Sequence, residues 1–315
     1  MSETMYLLNR REPRKGNARV RAFLIRLFIG YLYDMACRPR RSCNDGREKN
    51  GEKRMKKLVE YKIISGNVIE TRRTYMSARN VEGKSRRAPK VAGSSSESKI
   101  KANERECARE LARRINANFS AGDAHLVLKY DEVTLPADYA GAEERIGKFL
   151  RKYKAEFKKT TGRTAKAIWV TADRSPRRQA GARLHHHLIL EREGRELAVK
   201  LWGESLVSYE ALDGRLDHSE LAAYLIANVS PKAGKNKYHC TRNMVKPIYT
   251  EPVEVDDIED VRPEKDAVIK EHSVVTDEDG RVTSSYLRVT LGVKPKVRGG
   301  RLCIPKKSKR GGHKC

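Results

Sequence analysis

Between residues 99 and 250 the apolar positions recur with two different periods. From Lys99 to Phe119, Cys107, Ala108, Leu111, Ala112, Ile115 and Phe119 fall at three- and four-residue steps, which predicts a helix ending at Gly122. Asp123 to Tyr130 alternates, as a half-buried strand does. After Pro136 a second amphipathic helix is expected from Ala140 to Thr160. Its stripe is Ile146, Phe149, Leu150 and Phe157, and its other face is mostly Lys and Arg. Ala165–Ala172 reads as a strand. A polar loop from Asp173 to Gly181 leads into another, Arg183–Leu190. Leu206–Leu212 is a further strand candidate, and Asp217 or Ser219 can cap a helix over Glu220–Asn228. The β-α-β-β order predicts an α+β fold, an antiparallel central sheet with flanking helices.

The flanks carry other patterns. Glu60–Ser65 and Val68–Thr71 surround Gly66-Asn67, a two-residue turn that predicts a hairpin. Ser77–Ser98 is basic and Ser/Gly-rich, as a linker is. Lys232–Lys246 is a basic loop, Glu251–Asp279 turns acidic, and Ala267–Val289 suggests a hairpin around Asp279-Gly280. The chain therefore divides into a basic leader (1–54), a hairpin and linker (55–98), a core (99–250), an acidic segment with hairpin (251–292) and a basic tail (293–315) expected to be disordered. Met55-Lys56-Lys57 resembles a start, and the codons for Gly51-Glu52 can spell a purine-rich ribosome-binding site. Translation from Met55 is therefore one expectation for the leader, and a disordered basic arm is the other.

Charge narrows the partner. The 315 residues carry a formal net charge of +26, which suits a polyanion, nucleic acid first. The six cysteines form no CxxC pair, so no zinc ribbon is expected, and reduced thiols in a cytoplasm are. No apolar run reaches the roughly 18–20 residues of a membrane span.

Within the last core strand lies Arg183-Leu184-His185-His186-His187-Leu188-Ile189-Leu190. Strand alternation puts His185 and His187 on one face and turns His186 away, so that His186 should be replaceable. Two imidazoles on one face can grip a divalent metal; surface histidines are the plainer alternative. Lys232, Lys235, Lys237, Arg242 and Lys246, interleaved with Tyr238, suit a phosphate backbone and an unstacked base.

In chain order, four stretches resemble motifs of the single-tyrosine HUH endonucleases that initiate rolling-circle replication. They are Asn118-Phe119 with Gly122-Asp123 and the strand Leu126–Tyr130; Arg183–Ile189, similar to the His-x-His motif; Leu221-Ala222-Ala223-Tyr224-Leu225, similar to the tyrosine motif; and Thr241–Pro247, similar to the closing Ser-Arg-Asn segment. The resemblance spans residues 58–292.

It implies an RRM-like or ferredoxin-like HUH fold. It also implies Mg²⁺ or Mn²⁺ held by His185 and His187, with Asp173 where the family usually carries Glu. Tyr224 would be the nucleophile that forms a 5′-phosphotyrosine and frees a 3′-hydroxyl. Many relatives place Lys one turn after the tyrosine, and here that residue is Asn228. The implied DNA contacts are Arg183, Asn228, Lys232, Lys235, Lys237, Tyr238, Arg242 and Lys246. The implied partners are single-stranded or hairpin origin DNA and a host helicase and polymerase, since no Gly-x-x-x-x-Gly-Lys-Ser/Thr loop is present. A transposase or relaxase would use the same chemistry. A non-catalytic nucleic-acid binder on an RRM-like sheet would need only the charge.

Overall fold

The computed structural model describes residues 56–77, 97–174, 183–230, 236–298 and 301–305. The leader, most of the linker, Lys232 and Lys235 lie outside the described residues.

Two antiparallel sheets share one helix. The first hairpin is β1 (Lys56–Ser65) and β2 (Val68–Ser77), turned at Gly66 with φ of 60°. A Cβ at Gly66 would lie 2.1 Å from the Asn116 carbonyl oxygen, so the turn must be glycine for space as well as for its dihedral. Helix α1 (Glu97–Asn118) follows. Next come β3 (Ala124–Leu128), α2 (Tyr139–Thr161), β4 (Ala167–Ala172), β5 (His185–Leu190), α3 (Arg195–Trp202), β6 (Val207–Ala211), α4 (Ser219–Ala227) and β7 (His239–Cys240). The strands β3 to β7 form a five-stranded antiparallel sheet in the order β6-β3-β5-β4-β7. The α+β architecture with antiparallel sheets is as the apolar periods predict.

Helices cover both faces of this sheet. Ile168, Val170 and Ile189 pack with Leu111, Ala112 and Ile115 of α1 and Ala222, Leu225 and Ile226 of α4. Leu126, Leu128, Leu188 and Leu190 pack with Ile146, Leu150, Tyr153 and Phe157 of α2 and Ala198 of α3. Asp138 starts α2 by accepting the Gly141 N–H, and Gly162, with φ of 72°, ends it. At α4 the expected cap is displaced: His218 is the N-cap, and Asp217 instead accepts the Ser219 N–H at 3.1 Å.

After β7 the chain returns to the first hairpin. β8 (Ile248–Tyr249) and β9 (Val253–Glu254) pair with β1, and β11 (Val282–Leu291) pairs with β2. β10 (Ala267–Thr276) pairs with β11 around a turn at Gly280. Segments that read as separate flanks thus build one sheet. Helix α1 is its other wall, tied on by Arg113, whose guanidinium donates to both Glu70 carboxylate oxygens at 2.7 and 2.6 Å.

The tail departs from expectation. β12 (Lys296–Arg298) and β13 (Arg301–Cys303) form a small hairpin. Its apolar residues Val297 and Leu302, with Ile304, pack against Ile64, Ile69 and Val289, which gives this part of a basic stretch a reason to fold. Residues 306–315 lie outside the described residues. Cys107 is a free thiol. Among the described residues no helix is long and apolar enough to cross a membrane.

Candidate functional site

The histidine strand is held on both sides, by β3 and by β4. In β5, His186 faces the α2 side, and His185 and His187 face the α1–α4 side, as strand alternation requires. On the α2 side His186 is wholly buried. The Thr171 hydroxyl donates a hydrogen bond to the Glu143 carboxylate. His186 Nδ1–H therefore donates to Thr171 Oγ1 at 2.9 Å, and Nε2 accepts the Tyr130 hydroxyl at 2.5 Å. His186 is thus a core residue with two satisfied nitrogens, and replacing it is not free. Losing it orphans buried partners at a cost of about 1–3 kcal/mol.

On the other face, His185 Nδ1 lies 2.9 Å from the Arg183 carbonyl oxygen. A carbonyl only accepts, so His185 carries its proton on Nδ1 and presents a lone pair at Nε2. That Nε2 lies 3.3 Å from Nε2 of His187. An ion bonded to both nitrogens at about 2.0–2.2 Å, at an angle between a right angle and the tetrahedral value, needs a separation of about 2.8–3.6 Å. The pair meets that requirement, and neutral imidazole is the ligating form. Burial pushes the His187 pKa down to about 2, with His125, His185 and His186 adding in the same direction. Among the described residues, no group of three or more His, Cys, Asp and Glu side chains is placed to hold a metal ion.

Tyr224 stands over this face. Helix α4 carries it one turn before its C-terminus, and its ring meets that of His187 edge-on, centroids 5.5 Å apart. It is 43% exposed, while Leu225 beside it is buried in the core. The tyrosine is therefore not part of the helix's packing stripe, and the side chain is partly open to solvent.

A third histidine joins the group that the sequence pattern does not single out. His125 in β3 is the diagonal cross-strand neighbour of His187 on the same face. Its Nε2 lies 3.1 Å from His187 Nδ1, and the rings stack at 5.3 Å. Burial lowers its pKa to about 4. The alternation of β3 marks the side chain's parity, but only the register with β5 shows that it meets His187.

The remaining site residues divide. Asp173 follows Ala172, the partner of His185, and its carboxylate accepts the Ser230 N–H at 2.8 Å. Asn228 is 3% exposed and donates its amide to the Tyr224 carbonyl at 2.7 Å, so it closes α4 rather than facing a bound strand. Lys237 pairs with Glu104 at 2.6 Å, and Tyr238 accepts a hydrogen bond from Arg114 and packs against the core. Each of these three makes a contact within the chain. Arg183, Arg242 and Lys246 are exposed.

Compared with models of protein families, with curated proteins and with solved structures, the chain matches none.

Burial also makes acid costly. Burial pulls the pKa of His186 down to about 3 from the ordinary histidine value of 6.5, despite Glu143 nearby. Between these two values the unfolded chain binds a proton that the folded chain does not. Stability is therefore full above about pH 6.5 and is lost as the pH falls towards the folded value. From pH 7 to pH 5 the loss is on the order of 2 kcal/mol for each such histidine. Urea midpoints should fall over that interval, and less so in His186→Gln. Equal midpoints at the two pH values would refute the burial argument.

Proposed function

We propose that the chain is a single-tyrosine nickase and ligase of the HUH type that initiates rolling-circle replication on single-stranded origin DNA. The observation that carries this reading is the meeting of Tyr224 with His187, at 5.5 Å, above two imidazole nitrogens spaced for one cation. The proposal includes the HUH version of the α+β fold, with Mn²⁺ or Mg²⁺ as the cation. Imidazole favours Mn²⁺.

A divalent cation at His185 and His187 would neutralise the phosphoryl oxygens and make the phenol easier to ionise. Tyr224 Oη attacks phosphorus in line. The Oη–P bond forms as the P–O3′ bond breaks; the phenol proton passes to solvent and the departing 3′ oxygen takes one up. The phosphotyrosine conserves the bond energy, so a 3′-hydroxyl reverses the step and reseals the strand without ATP. Asp173, whose carboxylate accepts the Ser230 N–H, would supply a further oxygen ligand to that cation. Arg183, Arg242 and Lys246 supply charge to the flanking phosphates, and a host helicase and polymerase extend the primer.

The covering of both sheet faces by helices supports this reading over the non-catalytic one. An RNA-binding sheet stacks bases on an open face, and here α1 and α4 lie over one face and α2 and α3 over the other.

The test is incubation with single-stranded origin oligonucleotides of the replicon that encodes the chain. A protein–DNA adduct stable in denaturant is expected with Mn²⁺. EDTA should abolish it and added Mn²⁺ restore it. No adduct across that set with either Mn²⁺ or Mg²⁺ would end the proposal.

A further inference from the structure

The three histidines on the α1–α4 side form a line, and its proton order determines whether a cation can enter. Because Arg183 fixes the proton of His185 on Nδ1, the tautomer of His187 is the variable. With its proton on Nε2, His187 donates to His185 Nε2 across the 3.3 Å gap, and the cation position is closed by that hydrogen bond. With its proton on Nδ1, both Nε2 lone pairs face the gap and repel each other until a cation lies between them. The second arrangement needs an acceptor behind the ring, and His125 Nε2 stands there at 3.1 Å.

We propose that His125 is a positioning residue, which accepts the His187 Nδ1–H through Nε2 and so selects the tautomer that leaves both Nε2 atoms free for a divalent cation. The inference rests on the metal-dependent reading above. His125 is not itself a ligand in this arrangement. It meets Nδ1 of His187, whereas the cation position is at Nε2, on the other side of the same ring. Proton count is conserved: His187 moves its single proton from Nε2 to Nδ1, and His125 carries its own on Nδ1. His125 also lines a cavity of about 140 Å³ with Glu210, Asp213 and His218, which has room for water to accept that second proton. Partners behind a ligating histidine commonly change metal affinity by about 10- to 100-fold.

The experiment is calorimetric titration of the full chain with Mn²⁺ alone, without DNA. In His125→Phe a ring of similar shape lacks the acceptor, and the Mn²⁺ dissociation constant should rise by about 10-fold or more. His125→Gln extends Oε1 to a similar reach as an acceptor, and affinity should return to within a few-fold of the parent. In the parent loaded with diamagnetic Cd²⁺, nitrogen-detected NMR should place the His187 proton on Nδ1. Equal affinity in His125→Phe and the parent overturns the proposal, as does equal loss in His125→Phe and His125→Gln, or a Cd²⁺-loaded His187 protonated on Nε2. A parent that binds neither ion overturns the underlying metal reading and this proposal with it. A parent that binds while His125→Phe is unaffected overturns this proposal alone.

Discussion

Tyr224→Phe is expected to lower strand cleavage and adduct formation by at least about a thousandfold, roughly 4 kcal/mol of barrier. Under the proposed mechanism the substitution removes the one atom that would attack phosphorus, and it changes little else. Tyr224 is 43% exposed, its ring keeps the edge-on contact with His187, and the core below is made by Leu225 and Ile226. The thermal midpoint should therefore stay within about 2 °C of the parent. Cleavage is read from a labelled oligonucleotide on a denaturing gel, and the adduct from its mobility with protein. The informative control is His186→Gln, which should lose stability yet keep cleavage, since that ring serves the opposite face. An adduct of undiminished yield in Tyr224→Phe would remove the tyrosine from the mechanism. The same result together with full metal dependence would send the search to another hydroxyl.

The second large effect concerns stability. Arg113 is 2% exposed, and Glu70, which it grips with two nitrogens, is equally buried. Arg113→Met leaves the Glu70 carboxylate in the interior with its bidentate partner gone. Breaking a buried pair from one side costs about 3–5 kcal/mol. Arg72, 4.0 Å from Glu70, is too far to replace both hydrogen bonds. The urea midpoint should fall accordingly. The double variant Glu70→Leu/Arg113→Met should recover much of the loss, because apolar pairs replace buried ion pairs at little cost. A loss below about 1 kcal/mol in Arg113→Met would mean that water reaches Glu70. α1 also packs against α4, so the single variant should cleave poorly near its midpoint even with Tyr224 intact.

How far these features could be read in advance depends on the distance over which they form. The amphipathic stripes of α1 and α2 and the alternation of β3 and β5 are local, and each element lies within a few residues of its expected span. Helix α3 escaped because it has only eight residues, although Leu197, Ala198, Leu201 and Trp202 mark one face. The pairing of β2 with β11 has no local signature. Thr71 faces Leu287 because Leu287 and Val289 join Ile69 in one apolar cluster that the tail hairpin covers, a contact between segments far apart in the chain. At the site, period alone separates His186 from its neighbours. The proximity of Tyr224 followed only from the family resemblance, and His125 needed the strand register. The run around Lys237 and Tyr238 reads as a nucleic-acid surface by composition, and its engagement by Glu104 and Arg114 of α1 has no local signature.

The join between β2 and β11 has a further consequence for synthesis. A ribosome has delivered the tyrosine helix and all three histidines well before residues 282–291 emerge to close the sheet on α1. Contacts of such long sequence separation form late and slowly. Until then the nascent chain lacks the strand that flanks β2 and the Tyr286 ring against Arg109. The sheet against α1 is therefore completed only after the histidine strand and α4 have left the ribosome.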